Sequence, residues 1–222
     1  MANAQTAPAD AASATSTAKP EQLLKVVGNA RQVLKDYSPA SDSAKSGALT
    51  LVKDRIAGNQ LLTHLPTGAR LAAGEAKALV GPQGTTLTIP IEGAGLVVPS
   101  ALVAQIGNDD VFHASEMQFA ETGPTSGVVT TWLDGALGQH VAVTSSGSVT
   151  TATTPVSAAT PTGAMQPMSR WDDFVQCLDD AGVPAWVSAA ISAVCGIAGI
   201  AVACAVGVAV WYANAILTCY GA

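Results

Sequence analysis

Four cysteines, Cys177, Cys195, Cys204 and Cys219, are the only thiols in the chain, and all fall in its last quarter. Zinc ligation is disfavoured, because intervals of 17, 8 and 14 residues contain no Cys-x-x-Cys knuckle and the flanking side chains are Ala, Val, Ile and Gly. Inert buried thiols and disulfides both stay open. An even number of cysteines confined to one stretch is what a stapled, exported unit shows, so all four are disulfide candidates, with three full pairings open. On one straight helix Cys195 and Cys204 would stand about 13 Å apart along the axis, beyond the roughly 7 Å that a bridge tolerates. A bridge between them therefore requires a bend, for which Gly196 and Gly199 are the available hinges.

Acid–base or nucleophilic chemistry would have to come from His64, His113, His140, Asp134, Ser115 and Glu116, which lie scattered over about residues 60–155. The histidines lack the paired spacing of a zinc helix. The glycines match neither a phosphate-binding nor a dinucleotide-binding loop, and no Gly-x-Ser-x-Gly elbow occurs. Thr125-Ser126 and Thr144-Ser145-Ser146 read as turn residues. No catalytic, cofactor-binding or metal-binding residue is assigned, and no enzyme is expected. Ten basic residues against sixteen acidic ones, without a basic cluster, likewise exclude nucleic acid as a partner.

The elements that must position these side chains divide the chain by composition. Residues 1–19, rich in Ala, Thr, Ser and Pro, are expected to form a disordered tail. They show neither the positive n-region nor the apolar h-region of a classical signal peptide. Residues 20–62 form a helical segment: Leu23, Val26, Val27, Ala30, Leu34 and Tyr37 recur at helical spacing, and Leu49, Val52 and Ile56 do so after caps in Ser41-Asp42-Ser43. Over 63–151 the period shortens toward two. A hairpin is expected around Gly81-Pro82-Gln83-Gly84, followed by strands at Gly95–Val103, Val111–Glu121, Ser126–Leu133 and Val141–Thr151. Residues 152–168 read as a linker.

The remaining segment, 169–222, is an apolar Cys-containing helical module. A short amphipathic helix is expected near Trp171–Asp180, a break at Gly182-Val183, and a second helix opening at Pro184. From Ala181 to Ala222 there is no charged side chain, and the 26 residues Val187 to Tyr212 exceed the roughly 20 needed to cross a bilayer. Gly199, Ala203 and Gly207 form a stripe of small residues suited to close helix packing. Trp186, Trp211 and Tyr212 flank the run as an interfacial aromatic belt would. The fold expected is α+β: N-terminal helices, a small antiparallel β domain, and a C-terminal all-α helical hairpin.

The series Trp171, Cys177-Leu178, Gly182-Val183-Pro184, Cys195, Cys204 and Cys219 resembles the C-terminal modules of halocin-C8-like peptide-antibiotic precursors, over about the last fifty residues. The resemblance implies a bacteriocin-like precursor, whose longer N-terminal region precedes an apolar peptide that is released as the active antimicrobial and acts on target cell membranes. It implies a secreted or membrane-associated product. Its partners would be a lipid membrane or membrane protein, with an exporter, an immunity protein and assembly into oligomers in the membrane as further expectations. A second reading, of another class, is a membrane-anchored protein whose C-terminal transmembrane helix presents a β binding domain.

Overall fold

The computed structural model describes residues 16–17, 32, 35–109, 111–151, 177, 180 and 183–195. Its framework is one ten-stranded antiparallel sheet with a helix on each face. In chain order the elements are β1 (Ser16–Thr17), β2 (Ser38–Pro39), α1 (Asp42–Ala57), β3 (Arg70–Leu71), β4 (Lys77–Gly81), β5 (Gly84–Glu92), β6 (Ala101–Ile106), β7 (Phe112–Gly123), β8 (Ser126–Leu133), β9 (Ala136–Thr144), β10 (Ser148–Thr151) and α2 (Ala185–Cys195). Strands β4 to β10 form a meander in which each pairs with the next. Strand β1 adds to β10, β2 adds to β4, and β3 pairs with the end of β5.

Tight turns make the meander. Gly81 pairs with Gly84 across Pro82-Gln83, as the Gly/Pro signal predicts. Gly84 has φ +116°, and a Cβ there would stand 2.1 Å from the Ile106 carbonyl oxygen, so only glycine fits. Between β8 and β9, Asp134 and Gly135 both take positive φ, the backbone that a two-residue hairpin of matching twist demands.

Residues in cross-strand register share a face of the sheet. On the first face Ala78, Leu87, Ile89, Leu102, Ala104 and Ala114 form a core with Ala48 and Val52 of α1 and with Leu61. Helix α1 starts where Ser41 Oγ accepts the Ala44 N–H and ends at Gly58, whose N–H returns to the Asp54 carbonyl. Arg55 lies over the Phe112 ring, 4.3 Å from its centroid. The opposite face presents Val103, Met117, Phe119, Val129, Val143 and Val149, all buried, and α2 lies across β8, β9 and β10. Covered on both sides, β5 buries Thr86 and Thr88 along with Leu87 and Ile89, and β7 buries Ser115, Glu116 and Gln118 along with Ala114, Met117 and Phe119.

Several expectations are corrected by this arrangement. The α+β division, with a small β domain and a separate C-terminal helical hairpin, gives way to a mainly antiparallel β architecture in which the first apolar C-terminal helix is a cover for the sheet. The physical reason is that one helix face and one sheet face each exclude water only by packing on the other. Ser16–Thr17, expected in a disordered tail, pair with Ser148 and Val149. The strand expected over Gly95–Val103 begins only at Ala101, because Gly93, Ala94 and Gly95 take positive φ and turn the chain. The single strand expected over Val141–Thr151 is two, broken at Ser145–Gly147. The helix expected from Pro20, most of the Trp171–Asp180 helix, the linker at 152–168 and the hairpin beyond Cys195 lie outside the described residues. Among the described residues no helix is long and apolar enough to cross a membrane.

Candidate functional site: the sheet face beneath the apolar helix

Helix α2 opens after Pro184, whose carbonyl accepts the N–H groups of Val187 and Ser188. Its sequence, AWVSAAISAVC, carries no charge. Val183 and all residues from Trp186 to Ile191 are buried. A helix apolar on all sides is a core helix or a lipid-facing one, and here its first turns serve as core.

The sheet receives it through one gap. Gly127 pairs with Val143, and Val143 pairs with Val149, so the three share a row on the covered face. The Trp186 ring lies over Gly127, where a Cβ would stand 2.2 Å from Cζ3. The next row holds Phe119, Val129 and Val141, and the Phe119 and Trp186 rings meet tilted with centroids 6.5 Å apart. Trp186 is 1% exposed, yet its indole N–H makes no hydrogen bond among the described residues. Leaving that donor unpaired costs about 1–3 kcal/mol, set against the several kcal/mol that burial of the ring and of Val187 and Ile191 contributes at about 1.5–3 kcal/mol per large side chain. Docking is net favourable, but with a built-in opposing component.

The structure distributes the scattered polar residues among three places. His64 donates its backbone N–H to Glu116 Oε2 at 2.9 Å, and Gln118 Nε2 donates to Glu116 Oε1 at 2.6 Å and to the His64 carbonyl at 2.9 Å. The His64 ring stacks on Trp132, 3° from parallel at 4.7 Å. Glu116 is thus a buried anchor that ties the segment after α1 to β7. Ser115, its neighbour, points to the other face by strand alternation. His113 Nδ1 meets Asp134 Oδ2 at 2.9 Å, while Asp134 Oδ1 accepts the Ala114 N–H at 2.7 Å. His140 Nδ1 pairs with the Thr130 hydroxyl at 2.8 Å. No three His, Cys, Asp or Glu side chains among the described residues converge as metal ligands would.

Of the residues singled out from sequence, Trp186 therefore sits against the sheet. Cys177 is disulfide-bonded and Cys195 closes α2. Cys204, Cys219, Gly199, Ala203, Gly207, Trp211 and Tyr212 lie outside the described residues. Sequence reasoning missed Gly127, whose only signal is a glycine next to the β-branched run Val128–Thr131. It also missed the contact of the His64 backbone N–H with Glu116 across 52 residues, of which the only trace is the pair Glu116 and Gln118 on one face of β7.

The fold and this site define a β-meander protein that shelters a charge-free helix on one sheet face. Comparison of the chain with protein-family models, with curated proteins and with solved structures found no match.

Proposed function

We propose that the chain is a bacteriocin-like precursor in which the β-sheet region keeps the apolar C-terminal segment soluble and silent until a cut in the stretch 152–168 lets it leave. The observation that carries this reading is the burial of Val183 and Trp186–Ile191 on the sheet: the start of the uncharged run is withheld from lipid by the chain that precedes it. Once freed, a segment without a charged side chain from Ala181 onward loses little by entering hydrocarbon, provided its backbone is helical. The segment carries only acids near its start, so attraction to membranes would be hydrophobic or receptor-mediated and not a lysine-driven search for anionic lipid. The membrane-anchor reading rests on the same uncharged run. Burial of that run's first turns against the sheet favours the precursor.

Mass spectrometry of cultures expressing the chain tests the proposal. A released peptide beginning near Gly163–Trp171, lighter by two hydrogens per bridge, supports it. Intact chain confined to the membrane pellet contradicts it.

A further inference from the structure

At the end of the sheet remote from α2 lies a cavity of about 170 Å³. Its floor is a cross-strand row, Thr86 on β5, Gln105 on β6 and His113 on β7, placed side by side by the register. Gln83 and Gly84 of the β4–β5 turn wall one side, and Gly107, Asp109 and Val111 of the β6–β7 turn wall another. The two turns are tied together: Asn108 Nδ2 donates to the Pro82 carbonyl at 3.1 Å. Tyr37 completes the wall, its ring laid on Gly81, where a Cβ would stand 2.7 Å from Cζ. The cavity is therefore held open by fixed elements and not by chance packing.

The lining chemistry narrows the ligand. Asp134 Oδ2 holds His113 Nδ1 at 2.9 Å, which leaves Nε2 as the ring's second hydrogen-bonding atom. Asp109 adds a carboxylate, Gln83 and Gln105 add amides that donate and accept, and Thr86 adds a hydroxyl. No lysine or arginine among the described residues lines the cavity, so an anion finds no counter-charge. A quaternary ammonium group would call for an aromatic cage, whereas one tyrosine ring is present, and the Asp109 carboxylate that would meet a smaller ammonium group is exposed. Dispersed donors and acceptors around one ring suit a molecule that offers several hydroxyls at once.

We infer that this cavity binds a neutral, polyhydroxylated ligand of about one sugar ring, with Gln105, Thr86 and His113 reading its hydroxyls and Tyr37 lying along the ring. The inference stands apart from the precursor reading and survives or fails without it.

The test is a titration of the full chain, followed by amide proton–nitrogen correlation spectra, with methyl β-glucopyranoside, methyl β-galactopyranoside and N-acetylglucosamine. Parallel arms use propylammonium chloride and inorganic phosphate. The expected result is saturable movement of the Gly84, Thr85, Gln105, Gly107 and His113 amides with at least one sugar and with neither ion. Gln105→Ala and Gln83→Ala should each weaken that binding about tenfold, as loss of one neutral hydrogen bond does. Should Gln105→Ala not fold, Gln83→Ala in the exposed turn carries the comparison alone. Failure of all three sugars to move these amides, stronger movement with propylammonium or phosphate, or unchanged sugar affinity in the folded variants would overturn the assignment.

Discussion

The Trp186 ring lies so close over Gly127 that a Cβ on the glycine would stand 2.2 Å from Cζ3 and 2.3 Å from Cη2 of the indole. The glycine is a hole in the sheet surface, and the first bulky side chain of α2 fills it. Shape at this one contact links the β-sheet to the segment it shelters.

Gly127→Val should loosen that link. Valine favours strands, so on propensity alone the change would stabilise β8. Its side chain instead collides with the indole, and overpacking of this kind typically costs about 1–3 kcal/mol. Denaturant unfolding should show a lower midpoint, with the near-ultraviolet signal of the buried tryptophan reduced. A midpoint equal to or above that of the parent chain would refute the contact.

Trp186→Ala and Trp186→Phe separate the ring from its polar atom. Truncation to alanine empties the site and should cost about 3–5 kcal/mol. Phenylalanine keeps most of the packing and deletes the buried, unpaired N–H, which offsets part of the lost area. Phenylalanine should therefore lie much nearer the parent than alanine in thermal unfolding; equal losses would contradict an unpaired indole.

Glu116→Ala should release the segment that follows α1. The His64 N–H loses its acceptor and the Gln118 amide loses one of its two, keeping the His64 carbonyl; a buried donor left unpaired costs about 1–3 kcal/mol. Hydrogen exchange at the His64 amide should accelerate accordingly. Glu116→Gln retains a carbonyl acceptor and should lose less. An unchanged exchange rate in the alanine variant would show that the carboxylate is not the anchor.

At the β8–β9 turn, Asp134 has φ +49° and accepts the Ala114 N–H. Asparagine tolerates that backbone and keeps an acceptor, whereas alanine does neither. Asp134→Asn should be close to neutral and Asp134→Ala should cost about 1–3 kcal/mol. Thermal unfolding of the two variants checks the order.

Much of the sheet was legible because its turns carry strong local signals. Gly81-Pro82-Gln83-Gly84 marks a hairpin whatever surrounds it, and Ser126–Leu133 is a strand at the bounds expected. Helix α1 follows from Ser41 and from Val52 and Ile56 at helical spacing. What escaped was long-range. Nothing local to Trp186 distinguishes a ring at a membrane surface from one seated on Gly127, since the two residues are 59 positions apart. The uncharged composition of α2 fits lipid and protein interior equally well, and only the partner face decides between them. The pairing of His64 with Glu116 escaped for the same reason: Glu116 and Gln118 mark a polar spot on β7, but nothing local says that a backbone N–H 52 residues away meets it.

The most direct measurement of the central claim is dye release from phosphatidylcholine–phosphatidylglycerol vesicles by the full chain carrying an engineered protease site within 152–168. The uncut chain should leave the vesicles intact. Cutting should start release, and cutting the Gly127→Val chain should start it faster, because the sheet then holds the helix less firmly. Equal release before and after cutting, in both backgrounds, would contradict the claim that the sheet keeps the apolar segment silent.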